Sequence, residues 1–235
     1  MYIRQGIPPL AWQQITTVLL DMDGTLLDKY YDDYFWEQYL PQVYGEQNGL
    51  EEQEAQQELY RRYRSVEQTL MWTDLNYWSA ELGLDIIGLK KKVDHLIHVN
   101  PHAIDFLQFL QNQKKEVYLV TAAHRSALEI KMNRVDLRGY FQQLICAEEL
   151  GRAKEEAAFW ESLEKRLGFE PDRTLFADDN INVLRAARGH GIRYLIHIAK
   201  PSSRQPTRYC EEFTSVSAFD ELLAPGPDST SAQKN

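Results

Sequence analysis

The widest gap in the apolar pattern of this chain constrains its fold most. Five short apolar runs read as buried strands, each followed by polar residues: 16–20, 117–120, 143–146, 174–177 and 194–198. The segments between later runs have helical period, as at 126–134 and 154–167. The latter sets Ala158, Phe159, Leu163 and Leu167 towards one face. Strands alternating with helices predict an α/β fold, a Rossmann-like doubly wound parallel sheet, with function at the strands' C-terminal ends. Residues 21–116, between the first two runs, are too many for an ordinary crossover, so an insert lies there. Helical patterns at 30–40, 51–72, 76–82 and 89–98, with breaks at 45–49, 73–74 and 83–88, make that insert an all-helical cap. The expected organisation is core over 1–29, cap over 30–97, core over 98–224 and a disordered tail over 225–235.

Composition narrows the class. Hydrophobic residues at 43% and charged residues at 26% of 235 are ordinary for a globular protein. No apolar run approaches the ~18 residues of a membrane span, and the run before Asp21 is too short for a signal peptide. A net charge of −9 repels phosphate polymers, so nucleic acid is not an expected partner, and without a membrane-length apolar run neither is a membrane. Cys146 and Cys210 make no disulfide framework. A soluble, acidic, cytoplasmic protein is expected.

Chemistry concentrates at the strand tips. Asp21-Met22-Asp23-Gly24-Thr25 follows Val18-Leu19-Leu20 directly, so two carboxylates at i and i+2 leave one strand end beside a turn-permitting glycine. Asp-Gly is common in plain turns, but a strand-end carboxylate is costly to desolvate without a compensating cation or donor. Thr121 stands at the second tip, Lys154 at the start of the helix after the third, and Asp178-Asp179-Asn180 at the fourth. Each alone is explained by a cap, a surface lysine or a polar loop. Repeated at successive tips, a hydroxyl, an ammonium, backbone amides and clustered carboxylates make a site for phosphate and a divalent metal.

These residues resemble the four motifs of the haloacid-dehalogenase-like hydrolase superfamily: Asp21-Met-Asp-Gly-Thr, Thr121, Lys154 and Asp178-Asp179. The resemblance runs from Val18 to about Ile198, and the superfamily's subfamily I places a helical cap between motifs one and two. Within it the chain is similar to the bacterial GMP/IMP 5′-nucleotidases, through Tyr34-Phe35-Trp36, Tyr77-Trp78, Leu82-Gly-Leu-Asp-Ile86, Arg173-Thr-Leu-Phe176 and Gly191-Ile-Arg-Tyr194. Two motifs depart from the common pattern: Ala153 and Glu155 flank Lys154, and the fourth reads Ala177-Asp178-Asp179-Asn180.

The resemblance implies hydrolysis of a small phosphomonoester through an aspartyl-phosphate on Asp21, with Mg²⁺ as cofactor. Asp23 would serve as general acid and then base, a group that dehalogenating members lack. Lys154 would shield charge, while Thr121 and the amides of Met22 and Ala122 would bind the phosphoryl oxygens. Asp21, the Asp23 carbonyl and Asp179 would hold the metal, with Asp178 in support. A purine nucleotide is the expected substrate; a sugar phosphate, or a phosphate-binding module without turnover, is the alternative.

Residues 30–78 hold 12 of the 27 aromatic residues. Core packing is the ordinary use of such a stripe, but tyrosine and tryptophan near the nucleophile also suit base stacking. Trp36, Tyr39 and Trp72 are the candidates. His124, three residues beyond Thr121, either touches substrate or caps the next helix. The other histidines show no zinc-ligand spacing.

Overall fold

The structure, a computed structural model, describes residues 10–67 and 69–223. The expected tail at 225–235 lies outside the described residues. β1 (Thr17–Leu20), β2 (Glu116–Thr121), β3 (Gln143–Cys146), β4 (Thr174–Asp178), β5 (Tyr194–Ile198) and β6 (Thr214–Val216) form one parallel sheet in the order β3-β2-β1-β4-β5-β6. This is the doubly wound Rossmann-like order, and the strand order, not the strand direction, reverses between β1 and β4. β6 escaped the apolar pattern because its Thr-Ser-Val carries a single large apolar residue.

Side-chain alternation along the strands builds two layers. Val18 and Leu20, Val117 and Leu119, and Leu175 and Ala177 face one layer, against α7 (Ala103–Asn112) and α8 (Arg125–Val135). Leu19, Tyr118, Val120 and Phe176 face the other, against α9 (Ala157–Leu167) and α10 (Ile181–Gly189). The first layer is continuous with the interior of the inserted helices, since Tyr31, Phe35, Leu59 and Trp78 belong to the same apolar cluster.

The insert leaves and rejoins the sheet through adjacent segments. Leu27 pairs antiparallel with Val99, the Asp28 N–H donates to the His98 carbonyl at 2.9 Å, and that of Asn100 to the Leu26 carbonyl at 2.8 Å. Between them run α1 (Tyr30–Tyr34), a π-helical stretch (Phe35–Tyr39), α2 (Leu40–Asn48), α3 (Glu52–Val66), α4 (Leu70–Thr73), α5 (Leu75–Leu82) and α6 (Ile86–Lys92).

Helix limits differ from the sequence expectation where local hydrogen bonds intervene. The first helical run continues through Gly45 and stops at Gly49, whose φ of 65° suits glycine and whose N–H donates to Gly45. The long helix expected over 51–72 breaks after Val66. There the N–H and hydroxyl of Thr69 both donate to the Val66 carbonyl, closing a turn in place of the helical ladder. In α6 the Asp85 side chain caps the Gly88 N–H, so the helix begins at Ile86 and ends before a short turn at Asp94–Leu96.

The helix expected from Lys154 begins instead at Ala157, because residues 153–156 form a turn. The Glu156 side chain accepts from the Ala153 N–H at 2.8 Å, and the Trp160 indole N–H donates to the Lys154 carbonyl at 2.8 Å. Trp160 is fully buried, packed edge-on against Phe176 of β4 at 4.9 Å. Trp160→Phe leaves that carbonyl without its partner and opens a void. A loss of about 2–4 kcal/mol in urea unfolding is expected.

Candidate active site

The reversal between β1 and β4 brings their C-terminal ends together. Asp21 follows β1, Asp178 ends β4 and Asp179 follows it, while Thr121 ends the neighbouring β2. Lys154 enters from the turn before α9 and is 2% exposed. Its Nζ donates to Asp21 Oδ1 at 2.7 Å, to Asp178 Oδ2 at 2.7 Å and to the Val120 carbonyl at 3.1 Å. Burial opposes its charge, but Asp178 and Asp21 outweigh it and raise its pKa, so Lys154 is an ammonium.

The carboxylates are in excess over that cation. Burial, with Asp21 and Asp179 adding repulsion, pushes Asp178 up to about 8 despite Lys154. Asp21 is likewise raised, by burial and by Asp179. Oxygens of Asp21, Asp178 and Asp179 lie within 4.8 Å of one another. A buried, oxygen-only set with surplus negative charge fits a hard divalent cation. Asp178 is already engaged on both oxygens, by Lys154 and by the Asn180 N–H at 2.7 Å. Asp179 meets Lys29 Nζ at 3.0 Å, and Lys29 is 41% exposed.

Gly24 makes this approach of loops possible. Its φ is +83°, and a Cβ there would stand 2.7 Å from Asp179 Oδ2 and 2.9 Å from Pro201 Cβ. The strand-end pair therefore needs glycine twice over, for the turn and for the close approach. Gly24→Ala should cost about 1–3 kcal/mol, read by urea unfolding.

Asp23 lies at the inner wall of the same cavity, where burial pushes its carboxyl up to about 6 against the pull of Lys131. The cavity, of about 580 Å³, opens between the strand tips and the insert. It gathers Asp21, Asp23, Thr121, Ala122, Lys154, Asp178 and Asp179 with Trp36, Trp72 and His124. The Met22 side chain points instead into the apolar core, leaving its backbone at the site, where the N–H bonds to Asp21.

Tyr39 is not brought to the cavity wall. In the π-helical stretch the Leu40 N–H reaches back to the Phe35 carbonyl, and of its two candidates Trp36 lines the cavity while Tyr39 does not. Its ring stacks on Tyr34 at 6.4 Å. His124 caps α8, its Nδ1 accepting from the Ser126 N–H at 3.1 Å, and its Nε2 faces the Asn76 side chain of α5 at 3.1 Å.

Sequence reasoning passed over Tyr60, Tyr63 and Trp78 of the wall, and over Lys29, Asp32, Lys90 and Lys131. Lys131 carried a signal, since it falls three and four residues after Leu128 and Ala127 on the apolar face of α8.

The haloacid dehalogenase-like hydrolase family matches residues 15–191. The GMP/IMP nucleotidase YrfG of Escherichia coli is 35% identical over 214 residues, covering 91% of this chain and 96% of that protein. A phosphorylated carbohydrates phosphatase of Thermotoga maritima is 24% identical over 186 residues, 74% of this chain and 81% of that protein. The crystal structure of a HAD phosphatase from Thermococcus onnurineus shares the fold, with a TM-score of 0.74 at 23% identity, over 88% of this chain and 96% of that one.

The chain belongs to the haloacid dehalogenase-like hydrolases. It is an enzyme of the phosphatase kind, acting on phosphomonoesters. Among the described residues no helix is long and apolar enough to cross a membrane.

Proposed function

We propose that this enzyme is a purine nucleoside 5′-monophosphatase working through a phosphorylated Asp21. The observation that carries it is the buried Lys154 clamped between Asp21 and Asp178, in a cavity whose far wall is aromatic. Asp21 lies in that cavity, its Oδ1 held by Lys154, as the carboxylate that would attack phosphorus. Asp23, pushed up to about 6, can hold a proton near neutral pH for the departing alkoxide and take one back from the water that cleaves the acyl phosphate. Thr121, whose Oγ1 accepts from the Ala123 N–H at 3.0 Å, keeps its O–H for a phosphoryl oxygen, beside the Ala122 amide.

Magnesium held by Asp21, Asp179 and the Asp23 carbonyl would cancel charge between the carboxylate and the phosphate dianion. Asp178 supports the site by fixing Lys154. Asp21→Asn should abolish turnover while circular dichroism stays unchanged. Asp179→Ala should raise the Mg²⁺ concentration for half-maximal rate more than Asp178→Ala does, and the reverse order would exchange their roles.

The substrate follows from the wall and the relative. Trp36, Tyr60, Tyr63, Trp72 and Trp78 line the cavity, with Trp72 38% exposed at its rim and edge-on to Tyr63 at 5.7 Å. A space of about 580 Å³ accommodates a nucleotide. The 35% identity to a GMP/IMP nucleotidase supports a purine, and the more distant carbohydrate phosphatase supports the sugar-phosphate alternative. Stacking is worth ~1–3 kcal/mol per base, so Trp72→Ala should lower kcat/KM for GMP by about 10- to 100-fold and spare p-nitrophenyl phosphate. A screen of nucleoside monophosphates against sugar phosphates tests the class. Faster turnover of any sugar phosphate would leave the phosphatase and remove the nucleotidase.

A further inference from the structure

Three charged groups beside the cavity, the buried Lys131 and Lys90 and the partly buried Asp32, have no part in the chemistry above. Lys131 of α8, 2% exposed, places Nζ 2.6 Å from Asp23 Oδ1 and 2.6 Å from Asp32 Oδ2. Asp32 lies on α1 of the insert, and its Oδ1 accepts from Lys90 Nζ of α6 at 2.9 Å. Lys90 is 1% exposed, and its ammonium stands 4.7, 4.3 and 5.3 Å from the ring centres of Tyr31, Phe35 and Trp36. The series Asp23–Lys131–Asp32–Lys90 thus crosses the seam between sheet layer and insert with alternating sign.

Stability alone gives no reason for such an arrangement. Burying two ammonium groups against two partly buried carboxylates carries desolvation penalties that apolar residues of similar volume would avoid. The surrounding cluster is otherwise apolar and well supplied with leucine and aromatic side chains. What the series does accomplish is to fix one oxygen of Asp23. With Oδ1 tied to Lys131, Oδ2 is left as the oxygen that carries and delivers a proton.

We propose that Lys131 is a positioning residue for Asp23, and that Asp32, anchored by Lys90, holds Lys131 in place from the insert. This rests on the reading of Asp23 as general acid. In the first step an Asp21 oxygen bonds to phosphorus, the bond from phosphorus to the leaving oxygen breaks, and the proton on Asp23 Oδ2 passes to that oxygen. In the second step Asp23 Oδ2 takes a proton from water as the water oxygen bonds to phosphorus and the Asp21 oxygen is released. Lys131 exchanges no proton in either step. Protonation of the leaving group therefore requires the insert to be docked on α8.

The test compares leaving groups that differ in their need for a proton. Phenyl phosphate releases a basic phenolate, whereas p-nitrophenyl phosphate releases a stabilised one. Because kcat/KM ends at the first irreversible step, it reports phosphorylation of Asp21 without the later hydrolysis. Lys131→Met should lower kcat/KM for phenyl phosphate by about 10- to 100-fold, the scale of general-acid catalysis, and for p-nitrophenyl phosphate by less than about threefold.

Asp32→Asn keeps the side chain's shape and should shift the same ratio in the same direction, which preserves the test if Lys131→Met does not fold. Lys131→Arg should restore part of the ratio. Equal losses on both substrates in Lys131→Met and Asp32→Asn would mean that the series only holds the fold, and would overturn the proposal. Asp23→Asn separates the two readings. If it discriminates between the substrates while the Lys131 and Asp32 variants do not, only the positioning role falls. If Asp23→Asn itself does not discriminate, the acid role of Asp23 falls and this proposal falls with it.

Discussion

The ammonium of Lys154 is the charge on which the rest of this molecule is balanced. It binds Asp21 behind β1, the Val120 carbonyl in β2 and Asp178 at the end of β4, so one buried cation ties three strand ends. Without it those carboxylates would sit desolvated against one another, which a protein interior does not tolerate. Its own placement depends on the turn closed by Glu156 and on the Trp160 indole that takes the Lys154 carbonyl. Packing on the far face of the sheet thereby determines where the charge lies on the near edge.

Much of the scaffold was legible in the chain because its signals are local and repeated. Two of the five apolar runs coincide with the observed strands and the other three lie within one residue of them at each end, since buried parallel strands read as uninterrupted apolar segments. β6 was not, because at a sheet edge three residues can pair with β5 while showing little apolar character. Helix limits in the insert departed wherever a side chain competed for the backbone. Thr69 drew the Val66 carbonyl out of the ladder, and Asp85 claimed the first turn of α6. Such contests are decided by geometry that propensity does not encode.

The residues of the site divide along the same line. Asp21, Thr121, Lys154, Asp178 and Asp179 could be found because each stands at a strand tip or in the turn that follows, where residue type and position agree. Tyr39 was picked out by residue type and nearness to Asp21 in the chain, neither of which says which way a side chain faces, and in the π-helical stretch its ring stacks on Tyr34. Lys131 and Lys90 were hidden for a different reason. Each is a lysine on a helix, ordinarily a solvent-facing residue, and here each is buried against a carboxylate supplied from elsewhere in the chain. Burial of that kind is a tertiary event, visible once α1, α6 and α8 are brought together.

The adjacent exit and return of the insert, where Leu27 lies beside Val99, bear on how such a protein can change over generations. A segment whose two ends meet can lengthen, shorten or be replaced with little strain on the sheet, because the loop-closure cost rises slowly with length. Substrate preference could then drift with the insert while the strand tips keep their chemistry. The drift is not free, however. A replacement would have to offer Lys131 a carboxylate where Asp32 now stands, so inheritance of the insert is tethered at one point of charge as well as at two points of chain.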